Sequence, residues 1–218
     1  MQSFDRNHAN RRFSIMSLNS DYLQELSDLF VADIKKSAFY RNLSEKQRKE
    51  FDARLEEEEA QGLYPLLPGA TEEELGRLSK AMRKELGILV PNSVLEILRQ
   101  VDGFVENGVS LYGVDPDFRD DQFDSGPGVL AENRSNWSAY GETIQKYLFL
   151  GDSDLWFFAI ELSSGRALAL DRSTLAPKHS FATVDEMVND MMHQALGYLG
   201  EDPDQGTEDV PNDLFSRN

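Results

Sequence analysis

Hydrophobic residues near the start of the chain recur every three or four positions, the spacing of an amphipathic helix. Within residues 19–62 one such stripe covers residues 22–34, and a second helix is predicted to begin where Ser44 and Gln47 form a capping box. The second helix has few apolar residues, and its run of glutamates at residues 56–59 is typical of a solvent-facing surface. We therefore predict two helices here, of which the first buries one face.

Two further helices are predicted after a connector at residues 63–70, which contains two prolines and a glycine. Thr71 and Glu74 form another capping box, and the apolar stripe that follows it stops at Gly87, a residue that commonly ends helices. Pro91 then opens a shorter helix that ends before residue 103.

Beyond residue 103 the hydrophobic period changes from about 3.6 to about 2 or to continuous apolar runs, which predicts a sheet. The candidate strands are residues 109–114, 147–150, 155–162 and 166–170. The Ser-Ser-Gly sequence at residues 163–165 predicts a hairpin turn between the last two. Because the third candidate strand is apolar on both faces, we expect it to be a central strand that is covered on each side.

The same region contains signals for two more helices. A Gly-Pro-Gly turn at residues 126–128 precedes a predicted helix that carries Trp137 and Tyr140. Thr183 and Glu186 form a capping box that opens a final helix, with apolar residues continuing to about residue 199.

The composition fits one domain with additions at its ends. A hydrophobic content of 40% is sufficient to fill an interior, and 218 residues are too few for two domains of ordinary size. We predict a flexible arm (1–18), an N-terminal helical extension (19–62), an α+β domain (63–199) and an acidic flexible tail (200–218). The expected fold class is α+β, with a mixed, mainly antiparallel sheet flanked by helices.

The net charge of −17 argues against direct binding to nucleic acid or to anionic membranes, since both require a basic surface. The acidic excess follows residue 60 and serves solubility, attraction to a basic partner, or both. The absence of cysteine fits a reducing compartment. Because the sequence has neither a secretory signal nor a run of about 20 apolar residues, we expect the protein in the cytoplasm.

Short motifs within residues 63–199 follow one another in a particular order. They are Leu67-Pro68 before Thr71 to Leu75, Leu86-Gly87, Val90-Pro91, Asp102-Gly103, Asn107 to Gly113, Glu132-Asn133 with Trp137, Leu150 to Ser153, and the hairpin to Asp171. In this combination the chain resembles the SUKH superfamily, and in particular its YrhA-like bacterial branch.

The resemblance implies a mixed sheet flanked by helices that acts as a binding scaffold. Bacterial members are commonly immunity proteins encoded beside polymorphic toxins, and they recognise the cognate toxin through a groove or a variable surface. The chain departs from the family pattern in its helices at residues 19–62 and in its acidic tail.

Asp152-Ser153-Asp154, directly after an apolar strand, has the Asp-x-Asp spacing of phosphoryl-transferring hydrolases. Those enzymes need a repeated βαβ sheet, whereas here a hairpin follows at once. The simpler interpretation is a turn in which the aspartates cap backbone N–H groups, and a role in contacting a partner is the alternative.

Five aspartates lie in one predicted loop: Asp115, Asp117, Asp120, Asp121 and Asp124. Their spacing lacks the glycine and the final glutamate of a calcium-binding loop, so the interpretations that remain are a solvated loop and a docking surface. The glycines at residues 126–128 do not form a phosphate loop, because no lysine and Ser/Thr follow them.

The three histidines are scattered along the chain, which argues against a histidine-centred triad or metal site. Trp156 lies in an apolar strand and is expected in the core. Trp137 and Tyr140, three positions apart on a predicted helix, are either core residues or an exposed aromatic anchor of the kind that dominates protein interfaces.

The resemblance to the SUKH superfamily, together with the absence of catalytic spacing, implies an immunity protein that neutralises a cognate toxin by stoichiometric binding, with a regulatory scaffold for endogenous partners as the alternative. We expect no enzymatic activity, no cofactor and no metal, and a partner that is a basic protein. The predicted partner-binding residues are Asp115, Asp117, Asp120, Asp121, Asp124, Trp137, Asp152 and Asp154.

Overall fold

The computed structural model describes residues 18–120 and 126–197, so the predicted tail and nearly all of the predicted arm lie outside the described residues. The helices are α1 (Ser20–Lys36), α2 (Ala38–Asn42), α3 (Glu45–Ala60), α4 (Glu72–Glu85), α5 (Asn92–Gln100), α6 (Val129–Tyr140) and α7 (Val184–Ala195). The strands are β1 (Phe104–Glu106), β2 (Val109–Leu111), β3 (Tyr147–Asp152), β4 (Trp156–Glu161), β5 (Ala167–Asp171) and β6 (Pro177–Phe181). Among the described residues no helix combines the length and the apolar character needed to cross a membrane.

The N-terminal segment forms three helices where the sequence predicted two. Ser37 is responsible for the difference, because its hydroxyl accepts a hydrogen bond from the N–H of Tyr40 at 3.2 Å and so begins α2 directly after α1. The predicted capping boxes at Ser44 and Thr71 are both present, with reciprocal bonds to Gln47 and Glu74.

Helix α1 belongs to the same hydrophobic core as the sheet. Leu23 and Leu26 of α1 are buried in one continuous cluster with residues of the later strands and helices. The Ser27 hydroxyl also donates to the carbonyl of Pro65 at 2.7 Å, and the N–H of Asn19 donates to the Asn189 side chain of α7 at 2.7 Å. The core thus crosses the boundary that the sequence placed after residue 62.

The six strands form one sheet in the order β1 to β6, and each strand pairs antiparallel with the next. A parallel contact occurs as an isolated bridge between Gly113 and Gly128. The expected central strand is β4, which has β3 and β5 as neighbours. Sequence analysis missed β1 and β6, because β1 has three residues and four of the five residues of β6 are exposed and show no apolar alternation.

Helices cover both faces of the sheet. On one face α7 packs so closely that a Cβ atom at Gly151 would lie 2.3 Å from the Cε atom of Met191. On the other face the buried Asn133 of α6 donates to the Phe149 carbonyl at 2.7 Å and accepts from the Phe149 N–H at 2.8 Å. The fold is α+β with helices flanking the sheet, as the sequence predicts.

Candidate functional site

Asp115 is buried and holds the start of α6. Gly128, the residue before α6, has no side chain that could cap the helix, and the Asp115 carboxylate instead accepts hydrogen bonds from the N–H groups of Leu130 (2.9 Å) and Ala131 (2.7 Å). A Cβ atom at Gly128 would lie 2.4 Å from this carboxylate, so the contact requires glycine. Asp115 is therefore a structural residue, and its predicted role as an exposed docking residue is corrected.

The other predicted aspartates of this loop have different environments. Asp117 is exposed. Asp120 is also exposed, but its carboxylate forms a 2.8 Å ion pair with Arg77 of α4, which reduces the charge that it presents to a partner. Asp121 and Asp124 lie outside the described residues.

The two aspartates of the β3–β4 turn differ in how far they are exposed to solvent. Asp152 is partly buried, and Asp154 is exposed. The residue that caps a backbone N–H here is Ser153, whose hydroxyl accepts from the N–H of Trp156 at 3.2 Å, so the expectation that the aspartates do this is corrected. Asp152 instead forms a 3.0 Å ion pair with Arg172, in the turn after β5.

Trp137 lies on α6 and is half-buried. Its indole N–H donates to the carbonyl of Tyr147 at 3.0 Å, which ties the helix to the start of β3. Of the two interpretations left open by the sequence, this contact favours the structural one. Trp156, expected in the core, is likewise half-buried, and its ring lies edge-on to His179 with centroids 5.8 Å apart.

A row of side chains on α6 faces the edge of the β3–β4 turn. Glu132, Asn136 and Tyr140 follow one another at intervals of four residues, which places them on one side of the helix. The Tyr140 ring meets the ring of Phe157 from β4 edge-on, with centroids 6.1 Å apart. Tyr140 nevertheless leaves 41% of its surface exposed.

Arg172, in the turn after β5, lies across the β3–β4 turn from the α6 side chains. Its guanidinium donates to the carbonyl of Ser153 at 2.7 Å and lies 5.0 Å from the centroid of the Phe157 ring. Its backbone N–H donates to the carbonyl of Leu155 at 3.0 Å, and the Leu155 side chain is 66% exposed. Three contacts, including the ion pair with Asp152, hold the Arg172 side chain, so it is ordered before a partner binds although 44% of it is exposed.

The α6 patch, as we call this surface, consists of the following seven residues: Tyr112, Glu132, Asn136, Tyr140, Asp152, Leu155 and Arg172. Burial raises the pKa of Tyr112, and the charges of Asp152 and Glu132 raise it further, so its hydroxyl stays protonated. Burial also raises the pKa of Asp152, against which Arg172 and the hydroxyls of Ser110 and Tyr112 act. The patch combines exposed apolar groups with fixed charges.

The carboxylates of the patch do not make a metal centre. Within residues 18–120 and 126–197, no group of three or more His, Asp or Glu side chains has the geometry to hold a metal ion. What the patch offers chemically is a fixed cation, two partly buried carboxylates, and two exposed hydrophobic side chains, Tyr140 and Leu155.

A concave region lies away from the α6 patch. It has a volume of about 650 Å³ and is lined in part by Leu23, Leu67, Arg54 and Arg99, where α1 and α3 meet the connector after α3. Both arginines form ion pairs with glutamates, Arg54 with Glu58 and Arg99 with residues 72 and 96. Its cations are thus neutralised within the protein.

Sequence analysis named Asp152 as a partner-binding residue, which stays a prediction, and missed its ion-pair partner, Arg172. A signal for the α6 row was present, because Glu132, Asn136 and Tyr140 share one helical side. No local pattern points to Arg172, since its position beside Asp152 depends on how the β5–β6 turn folds back against the β3–β4 turn.

No protein-family model matches the chain, and no curated protein matches it. Among solved structures, the chain is similar to a protein from Pseudomonas syringae pv. tomato, with 18% sequence identity and a TM-score of 0.42. That similarity covers 57% of this chain and 83% of the other. At this level it carries no argument about family or function.

Proposed function

We propose that this protein is a SUKH-like immunity protein, which acts in the bacterial cytoplasm and neutralises a cognate toxin by stoichiometric binding. Two features support this function. One is the order in which the short motifs follow one another within residues 63–199, and the other is the chemistry of the α6 patch. Its chemistry is recognition of a protein surface, with no reaction catalysed.

The observation that carries the proposal is that Arg172 is held in place and shares the Phe157 ring with the exposed Tyr140. Tyrosine and arginine are enriched among the residues that dominate binding energy at interfaces, and they act best when they are held in place before the partner arrives. Arg172 is fixed by Asp152 and Phe157, and Tyr140 packs against the same Phe157 ring. An anchor of this kind loses little side-chain entropy on binding.

The charge of the chain supports a basic partner. A net charge of −17 attracts cationic proteins over a distance of about 10 Å at ordinary ionic strength and accelerates their association. Asp117 and Asp154 are exposed, and both lie in loops that reach the surface. We assign them a role in steering the toxin, and the α6 patch a role in holding it.

Co-expression tests this function. The probe is the toxic domain encoded by the gene beside this one, expressed in a sensitive host with increasing amounts of the protein. Because the protein acts by occupying the toxin, growth should be restored only as the protein approaches equimolar amounts. Full protection by a trace amount would indicate a catalytic mechanism, and failure to protect at any level would exclude immunity to that toxin.

A further inference from the structure

Glu132 is the one charged residue of the α6 patch that forms no ion pair or hydrogen bond through its side chain within residues 18–120 and 126–197. It is half-buried, and it lies on the side of α6 that faces Asp152. A carboxylate that is partly removed from water without a partner costs free energy in the unbound protein. Its position therefore suggests that the partner is supplied by another molecule.

The charged groups that act on Glu132 are mostly of the same sign. Burial raises its pKa first, and the neighbouring carboxylates Asp152 and Asp115 raise it further. Arg172 is the cation that opposes them, and it is already paired with Asp152 at 3.0 Å. The surroundings of Glu132 thus remain negative.

Asn136, one helical turn after Glu132, is turned toward the protein. Its Nδ2 atom is shielded from solvent, so a group of an incoming molecule cannot reach it. The Asn136 side chain instead acts on the buried Tyr112 hydroxyl, whose pKa it lowers against the larger effect of burial. The group of the α6 patch that needs a donor from a partner is the Glu132 carboxylate, and a basic side chain supplies one.

We propose that the α6 patch receives an arginine of the partner protein, whose guanidinium pairs with Glu132. That the arginine belongs to a toxin rests on the proposed function. The binding of the arginine itself follows from the geometry of the patch, and it is testable without any toxin.

The surroundings favour a guanidinium over an ammonium group. A guanidinium is planar, forms paired hydrogen bonds with a carboxylate and stacks on aromatic rings, whereas an ammonium group is more strongly hydrated. Tyr140 presents an exposed aromatic ring on the same side of α6 as Glu132. Leu155 adds an exposed apolar contact for the residues that flank the arginine.

The test uses a tripeptide, acetyl-Leu-Arg-Leu-amide, titrated into the full-length protein and followed by NMR spectroscopy of backbone amides. The controls are the same peptide with lysine or with uncharged citrulline in place of arginine. We expect shifts confined to α6 and the β3–β4 turn, and affinity at least about 10-fold weaker for citrulline, because the charged hydrogen bond is lost.

Two protein variants locate the contact. Glu132→Gln should weaken arginine-peptide binding by about 10-fold, whereas Glu142→Gln, the same change at an exposed position just after α6, should leave it unaltered. Shifts spread evenly over the acidic surface, equal weakening by the two variants, or equal binding of the lysine peptide would overturn the proposal. Failure of immunity in the co-expression assay would leave this result unchanged, so the two failures are distinguishable.

Discussion

The Arg172 guanidinium lies 3.0 Å from the Asp152 carboxylate, which joins the turn after β5 to the end of β3. The ion pair is only partly exposed, and the Phe157 ring lies beneath the guanidinium at 5.0 Å. An arginine held in this way can act as an anchor for a partner without first being ordered.

Replacement of Arg172 by alanine should therefore weaken the toxin complex by about 2 kcal/mol or more, mainly through faster dissociation. The lysine variant should recover little of this loss, since a lysine cannot reproduce the guanidinium contacts. Surface plasmon resonance with immobilised toxin measures both rates. Arg166→Ala, at an exposed arginine that pairs with Glu161 at 2.9 Å in the β4–β5 hairpin, is the matched control and should bind normally.

Trp137→Ala should chiefly destabilise the fold. The indole is half-buried and bonded to the Tyr147 carbonyl, so its loss leaves a cavity and an unsatisfied acceptor that together cost about 2–4 kcal/mol. Urea denaturation measures this directly. If stability is unchanged and only toxin binding falls, Trp137 is an interface anchor and its structural assignment is wrong.

Glu132→Gln should make the unbound protein more stable at neutral pH. The folded-state pKa of Glu132 is raised by burial and then by Asp152 and Asp115, so protonation of this group is favoured by folding. Its contribution to stability is present below the unfolded-state pKa and is lost as pH rises through the raised folded-state pKa. The glutamine variant does not ionise and should escape this loss.

Thermal unfolding of wild type and Glu132→Gln from acid to neutral pH tests the direction of this pH dependence. The groups that act on Glu132, namely Tyr112, Asp115, Asp152 and Arg172, are retained in the variant. The advantage of the variant should grow as pH rises through the raised pKa. An advantage that is largest at low pH would contradict the environment assigned to Glu132.

Removal of α1 should destabilise the sheet domain, although the sequence analysis placed α1 in an extension outside the domain at residues 63–199. Leu23 and Leu26 are buried in the common core, and Leu26→Ala by itself should cost about 2–5 kcal/mol. Leu55 of α3 lies outside that common cluster, so Leu55→Ala provides the comparison and should cost less. Urea denaturation of both variants decides whether the core crosses residue 62.

Exposed acidic residues should govern the rate of association. Asp117→Asn together with Asp154→Asn should slow toxin association at low salt and reduce its dependence on ionic strength, while the melting temperature stays nearly constant. The Asp120→Asn variant should have a smaller effect, because Arg77 already offsets its charge. Stopped-flow mixing at several salt concentrations checks the rates, and unchanged rates at low salt would remove these aspartates from the steering surface.

Much of the fold is local in origin and could be predicted. The capping boxes at Ser44 and Thr71 start helices as the sequence indicates, because each depends on residues three positions apart. β6 was missed because an exposed edge strand carries no apolar alternation. The patch depends on contacts between distant parts of the chain, which no local spacing reports.

Asp115 shows how a signal in the sequence can be misinterpreted. An aspartate in a polar loop is most simply taken as solvated. The Gly-Pro-Gly turn before α6, however, contains no side chain able to cap that helix, which implies that its free N–H groups are satisfied from elsewhere. Asp115, in the preceding loop, supplies the cap for α6.

The central claim is stoichiometric binding of a toxin through the α6 patch. Isothermal titration of the purified toxic domain, which we expect the neighbouring gene to encode, with wild type and with the double variant Tyr140→Ala, Arg172→Ala tests it most directly. We predict one protein bound per toxin, and affinity at least about 100-fold weaker for the folded double variant. Equal affinity of wild type and double variant would contradict this account of the site, and no binding by either would contradict the account of the function.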